Sequence, residues 1–242
     1  QWLLPKALKK LHIDLLHMPA NRICLTTNIP QIATLHDAME WKNLTFPQWT
    51  LRGFRGWLYS VRKYLYVYFQ YTVGLKKLTH IVTISQYALD DITATFPATM
   101  NKISFVYHGL PEKFAHLGQP LPSSQRSHVL MLGGESPHKN PHNMILAYAA
   151  LPDKLRHQYP LVIIGINPAH LDVFSAWVAE QGISENCTLL TWVDESVLVD
   201  HFVHATVLLF ASVEEGFGFP LIQAMAAGTP AVLSNATVLR EL

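Results

Sequence analysis

Charged residues are scarce in this 242-residue chain: 14% are Asp, Glu, Lys or Arg, against about 25% in an average soluble domain. Half of the residues are hydrophobic, which supplies enough apolar side chain to offset the entropy of folding and excludes intrinsic disorder. Long apolar runs are absent as well, and without about 18 consecutive apolar residues no segment reads as a transmembrane helix. Two cysteines occur, Cys24 and Cys187, with neither Cys-x-x-Cys nor Cys/His ligand spacing around them. That argues against a disulfide framework and a structural zinc site, and points to a reducing, cytoplasmic compartment. Among thirteen histidines, His138/His142 and His201/His204 have helical spacing but lack a third ligand, so no metal site is expected. Neither Asp-x-Asp nor Gly-x-Ser-x-Gly is found, and no Cys/His nucleophile arrangement is found either.

What is there is unevenly distributed. Residues 1–120 carry 13 Lys/Arg against 6 Asp/Glu, a surplus of seven positive charges; residues 121–242 carry 5 against 11, a surplus of six negative. Opposite signs on two halves suit two domains facing a shared cleft better than a nucleic-acid binder with one basic surface. Short apolar runs at 12–18, 31–35, 80–84 and 103–107 read as strands, with helices at about 54–78 and 86–95. A proline- and serine-rich stretch at 111–127 follows. A second series then has strands at 128–132, 161–165, 187–191, 206–210 and 231–234, with helices at about 140–150, 169–181, 195–204 and 220–227. Strands alternating with helices imply right-handed crossovers and parallel sheets covered on both faces. The expected fold class is therefore α/β, with two Rossmann-like doubly wound domains at 1–118 and 128–242 joined by a linker at 119–127. Ligands belong beyond the carboxyl ends of the strands. The chain opens on Gln1 and ends on Arg240-Glu241-Leu242 partway through an element, which reads as a piece cut at both ends.

Residues 211–234 carry the most chemistry. A buried strand ending near Phe210 leads into a loop, Glu214-Glu-Gly-Phe-Gly-Phe219, and then into a helix whose first turn holds Pro220 and whose end is marked by Gly228 and Pro230. Gly216 and Gly218 let backbone N–H groups approach a ligand closely, and the helix amino terminus adds about half a positive charge. That geometry suits a diphosphate. Glu215, which cannot bind phosphate, is then placed to accept hydrogen bonds from hydroxyls, as on a sugar. A glycine-rich connecting turn with a solvated Glu pair is the plainer alternative.

This stretch resembles the signature of retaining family-4 glycosyltransferases, whose two-Rossmann-domain fold is called GT-B. The family's pattern is a Glu, seven residues and a second Glu; here the first is Glu215 and the second position is Gln223, which keeps an acceptor oxygen but lacks the charge. The resemblance implies that Glu215 contacts the donor sugar, Gln223 binds the ribose, and the N–H groups of Gly216, Phe217, Gly218 and Phe219 stabilise the leaving diphosphate. Gly133-Gly-Glu-Ser-Pro-His-Lys-Asn140 is similar to the family's diphosphate turn, with Lys139 on its phosphate-binding lysine and Gly134 where many members carry arginine. Gly165 falls where the family's chain passes the nucleotide, and Thr191-Trp-Val-Asp-Glu195 resembles the turn whose backbone reads the base around Val193. In the first half, Thr34-Leu-His-Asp37 puts His36 on the histidine that reaches the donor sugar. His108 stands where Asn is usual, and no role is carried over to it.

The resemblance thus implies a retaining, metal-independent hexosyltransferase, mannosyl-type, with Lys139, Glu215 and His36 as candidate catalytic residues. It would use a nucleotide-diphospho-sugar as co-substrate, with no cofactor or metal, and a glycan or lipid-linked saccharide as acceptor. A non-catalytic sugar-nucleotide-binding scaffold and a sugar-nucleotide epimerase on the same fold are the alternatives. Residues 41–89 hold seven Lys/Arg and no Asp or Glu, interleaved with Trp49, Phe54, Trp57, Tyr59, Tyr64, Tyr66, Tyr68, Phe69 and Tyr71. A helix of that composition within 52–78 can lie on the anionic inner face of a membrane, or its aromatics can form a core face; no nucleic-acid recognition motif accompanies them.

Overall fold

The structure is a computed structural model that describes residues 3–45, 53–134 and 136–242; the expectations at Trp49, Arg52 and Glu135 lie outside these residues. The chain divides into two compact units, Gln1–His108 and Gly109–Leu242.

In the first unit, helix α1 (Leu3–Lys10) precedes strand β1 (Leu16–Met18), β2 (Gln31–Thr34) and a short helix, Met39–Lys42. Helix α2 (Gly53–Phe69) then runs through a π turn, Gln70–Gly74, into Leu75–Lys77; β3 (His80–Thr83), α3 (Gln86–Thr95) and β4 (Ile103–Phe105) follow. The four strands are parallel, in the order β1-β2-β3-β4. The first strand is shorter than the expected 12–18, because α1 uses the residues before it. The N–H groups of Leu11 and Ile13 donate to the carbonyls of Ala7 and Leu8, and His12 closes the helix with a left-handed φ of 51°. Two buried glutamines hold the chain between β1 and β2. Gln31 exchanges hydrogen bonds of 3.0 Å with both backbone groups of Cys24, and Gln70 bonds both backbone groups of Ile23, so these buried polar groups are satisfied. Within α2, only Val67 of residues 54–69 is buried; Tyr71, in the π turn just past it, joins Val67 in the core, while the aromatics of α2 itself do not form a core face.

In the second unit the strands are β5 (His128–Leu132), β6 (Leu161–Ile164), β7 (Cys187–Leu190), β8 (Ala205–Phe210) and β9 (Ala231–Leu233). All are parallel, in the order β7-β6-β5-β8-β9. This is the doubly wound order, and the direction of winding reverses between β5 and β8. Helices α4 (Pro141–Ala149), α5 (Leu171–Glu180), α6 (Glu195–His204) and α7 (Phe219–Ala226) connect them. Met131, Ile145, Leu161, Ile163 and Phe174 form the fully buried centre of one core cluster. The stretch before β5 packs on this unit: Phe114 lies edge-on to Phe202 at 5.3 Å, and Arg126 donates to Ala205 O, Thr229 Oγ1 and Gly228 O at 2.7–2.9 Å. Helix α7 ends as its sequence implies. The N–H of Gly228 (φ 62°) donates to Met225 O and that of Thr229 to Ala224 O, the paired bonds of a glycine-terminated helix.

Candidate functional site

Two loops leave the sheet of the second unit at its reversal point, one after β5 and one after β8. The first passes through Gly133 and Gly134 into a 3-10 turn, Pro137–Lys139, and then into α4; the second runs from Ala211 to Gly218 and opens α7. They are tied together by backbone and side chain. Val213 N–H donates to His138 O at 2.8 Å, and Asn140 Nδ2 donates to Ala211 O at 3.1 Å. Lys139 Nζ meets Glu215 Oε1 at 2.7 Å, with side chains 31% and 11% exposed. The Lys139 ammonium also lies 5.9 Å from the centroid of the Phe210 ring. A mostly buried carboxylate is thus compensated by one ammonium, which still reaches solvent; removing either would leave the other's charge unmatched.

Beside this pair opens a cleft of about 360 Å³, lined by Leu132, Gly133, Gly134, Lys139, Ile164, Gly165, Trp192, Val193 and Leu198. It gathers four of the residues singled out in the sequence: Gly133 and Lys139 after β5, Gly165 after β6 and Val193 after β7. Glu215 reaches it through Lys139. Gly216, Phe217, Gly218 and Phe219 form the entry to α7, with the Phe217 and Phe219 rings 5.3 Å apart; they and Gln223, half-buried on that helix, do not line the cleft. Backbone geometry explains two glycines. Gly134 has φ 140°, and a Cβ there would press on Lys139 Cγ at 3.3 Å, so an arginine at this position would be strained and would crowd the lysine. Gly218 caps α7 with φ 89°, and a Cβ would meet Leu239 Cδ2 at 2.9 Å.

His36 belongs to the first unit, at the carboxyl end of β2. Its N–H donates to Asn21 Oδ1 at 2.9 Å and its Nε2 lies 3.3 Å from Pro19 O. Since a carbonyl can only accept, that contact puts the hydrogen on Nε2 and leaves Nδ1 of the neutral ring as an acceptor. The ring stacks on His108, with centroids 5.5 Å apart and planes 27° from parallel. Burial, with a contribution from nearby His36, holds His108 below the usual imidazole range. Burial raises the neighbouring Asp37 carboxyl, opposed by the Met39 N–H it accepts. The sequence assigns no role of their own to His108 and Trp192.

Among the described residues no group of three or more His, Cys, Asp or Glu could hold a metal ion, and no helix is long and apolar enough to cross a membrane.

Two units with wholly parallel sheets, one of them doubly wound with a Lys–Glu pair at its reversal point, define a GT-B type of architecture. HepE of Anabaena, solved in complex with UDP and glucose, has this fold: its TM-score is 0.65 at 16% identity, covering 98% of this chain and 63% of that one. The chain belongs to the glycosyl transferases group 1 family, which it matches over residues 115–242, while residues 1–114 match Glycosyltransferase Family 4. It is 28% identical over 178 residues to the O-antigen chain mannosyltransferase RfbU of Salmonella typhimurium, spanning 73% of this chain and 48% of that protein. It is also 34% identical over 119 residues to O-antigen chain mannosyltransferase B of Escherichia coli, spanning 48% of this chain and 31% of that one. The chain thus spans about half the length, or less, of these curated relatives.

Proposed function

We propose that this chain carries the donor site of a retaining, metal-independent glycosyltransferase that moves a hexosyl group from a nucleotide-diphospho-sugar to a glycan or lipid-linked acceptor. The observation that supports it is the 2.7 Å pair of Lys139 and Glu215, which joins the β5 and β8 loops beside the cleft. The mannosyl character rests on the relatives that are named mannosyltransferases.

In this reading Lys139 neutralises the diphosphate as the glycosidic bond breaks, together with the N–H groups at the entry to α7. Preorganised donors aimed at developing charge are commonly the largest catalytic contribution. Once the diphosphate takes Lys139, Glu215 is released to accept from sugar hydroxyls. Gln223 holds the ribose, and Gly133, Gly165 and Val193 pass the nucleotide. The acceptor oxygen bonds to the anomeric carbon on the face the diphosphate leaves, and its proton passes to a phosphate oxygen. No protein nucleophile is required. Helix α2, with Arg55, Arg62 and Lys63 among exposed Phe54, Leu58 and Tyr59, suits contact with an anionic membrane surface, where a lipid-linked acceptor would reside.

Calorimetric titration of the full protein with UDP, GDP and dTDP tests the site. Selective micromolar binding, lost in Lys139→Ala together with a 10²–10³-fold fall in transfer, is the expected result. Unchanged turnover in that variant would sink the assignment.

A further inference from the structure

Trp192 is the one aromatic side chain among the residues that line the cleft, and the proposed function leaves it without a task. It sits between β7 and α6 and is 74% exposed, more than any other large apolar residue among those described. An indole offers 150–250 Å² of apolar surface, and leaving it in water forgoes the stabilisation that burial would bring. It is not isolated on a convex surface, because it borders the cleft beside Leu132, Val193 and Leu198, with Lys139 as the cation of the same lining. The end of β6 keeps the ring accessible. A Cβ on Gly165 would lie 3.9 Å from Trp192 Cζ3, so any longer side chain there would occupy the space against the indole.

A cleft with an open aromatic ring, aliphatic walls and one ammonium matches a ligand with a flat ring and an attached anion. We propose that Trp192 is the stacking platform for the nucleobase of the donor, whose diphosphate is directed to Lys139. This rests on the donor-site reading above and extends it to a residue that does not touch the sugar. Every base has a π face, so stacking tolerates any of them. Trp192 accordingly supplies affinity common to all nucleotides, and selection among bases falls to the backbone around Val193.

The test is calorimetry on the full protein with UDP, GDP and inorganic pyrophosphate, alongside indole fluorescence. Removing a base–aromatic stack weakens binding by roughly tenfold or more. Trp192→Ala is therefore expected to weaken UDP and GDP by the same factor, about tenfold, and to leave pyrophosphate unchanged. Trp192→Phe is expected to bind both nucleotides within about threefold of the parent while losing the nucleotide-induced quenching of fluorescence. Nucleotides binding as tightly to Trp192→Ala as to the parent would overturn the proposal. So would a parallel loss of pyrophosphate, which would mean that the cleft had collapsed, or quenching that persists in Trp192→Phe. If the parent binds pyrophosphate as tightly as it binds UDP, the stacking alone fails; if it binds neither, the donor site itself fails, and the stacking with it.

Discussion

Both units are built on parallel sheets, yet they cover them differently. In the second, β6 is buried along its whole length and β5 over all but its last residue, as expected of strands with helices on both faces. In the first, β2 and β3 alternate between buried and half-buried positions, and the longest helix, α2, leaves Phe54, Tyr59 and Phe69 exposed at 60%, 72% and 46%. Parallel pairing is common to both, yet one unit encloses its central strands tightly and the other is more open, with apolar and basic surface on its outside. The excess of positive charge in the first half of the chain belongs to the open unit. Parallel pairing alone therefore does not set how such a unit meets its surroundings; the sequence of the covering helices contributes as well.

The largest expected effect sharpens this contrast inside the enclosed unit. Arg126 donates to Leu121 O at 3.1 Å and to Ala227 O at 3.3 Å besides its three shorter bonds, so one guanidinium joins the stretch before β5 to β8 and to the end of α7. Arg126→Ala would orphan the buried carbonyls of Ala205 and Ala227 at once, each worth about 1–3 kcal/mol. A destabilisation of about 4 kcal/mol is expected, seen in hydrogen exchange as lost protection of β8 and β9 with β2 and β3 unchanged. Equal loss in both units would break the distinction drawn here.

A smaller effect of the same kind depends on pH. His128, 6% exposed at the start of β5, has its Nδ1 3.1 Å from Ser127 Oγ and its Nε2 3.4 Å from His201 Nδ1. Burial first, and then His201, push its imidazole down to about 4; His204 opposes protonation and Asp200 favours it. The folded value lies below the unfolded one, near 6.5. The unfolded state therefore binds the proton more readily, and stability present above pH 6.5 is lost as pH falls toward 4. Between pH 7.5 and 5 the second unit should lose about 2 kcal/mol in urea unfolding. His128→Phe, which keeps the ring and removes the titration, should flatten that dependence; an unchanged slope would remove His128 as its cause.

Much of this architecture was legible in the sequence, for reasons that particular elements make plain. The bounds of β5 and α6 follow from an apolar run with polar flanks and from an apolar repeat at helical spacing, and α3 starts where Ser85 caps it, accepting from Ala88 N–H at 3.0 Å. The end of α7 was written in Gly228 and Pro230. The misread stretch at 12–18 joined a helix terminus to a strand, since apolar residues at Leu11, Ile13 and Leu15 alternate like a strand while the hydrogen bonds run back to α1. Short helices such as Glu112–Ala115 and Asp153–Gln158 are too brief for periodicity to register. At the site, Gly133, Lys139, Gly165 and Val193 meet because each follows a strand of one parallel sheet, which strand order predicts. The sequence gives Trp192 no role of its own because an aromatic in an apolar-rich chain reads as core, and its 74% exposure marks it as something else.

The smallest effect concerns the open unit. Lys63 is exposed on α2, near Arg62 and Tyr59 around a shallow surface hollow, and it supports no core contact. Lys63→Gln should leave stability within about 0.5 kcal/mol of the parent, as for other surface substitutions. If α2 lies on an anionic bilayer, each basic residue near the surface contributes about 1 kcal/mol, so the variant should bind phosphatidylglycerol vesicles about fivefold more weakly, with the difference fading as salt is raised. Nucleotide affinity should not change, because the residues that line the cleft all belong to the other unit. A variant that binds vesicles like its parent would leave the exposed aromatics of α2 without this role. One that binds vesicles normally but loses nucleotide would contradict the division of labour between the two units.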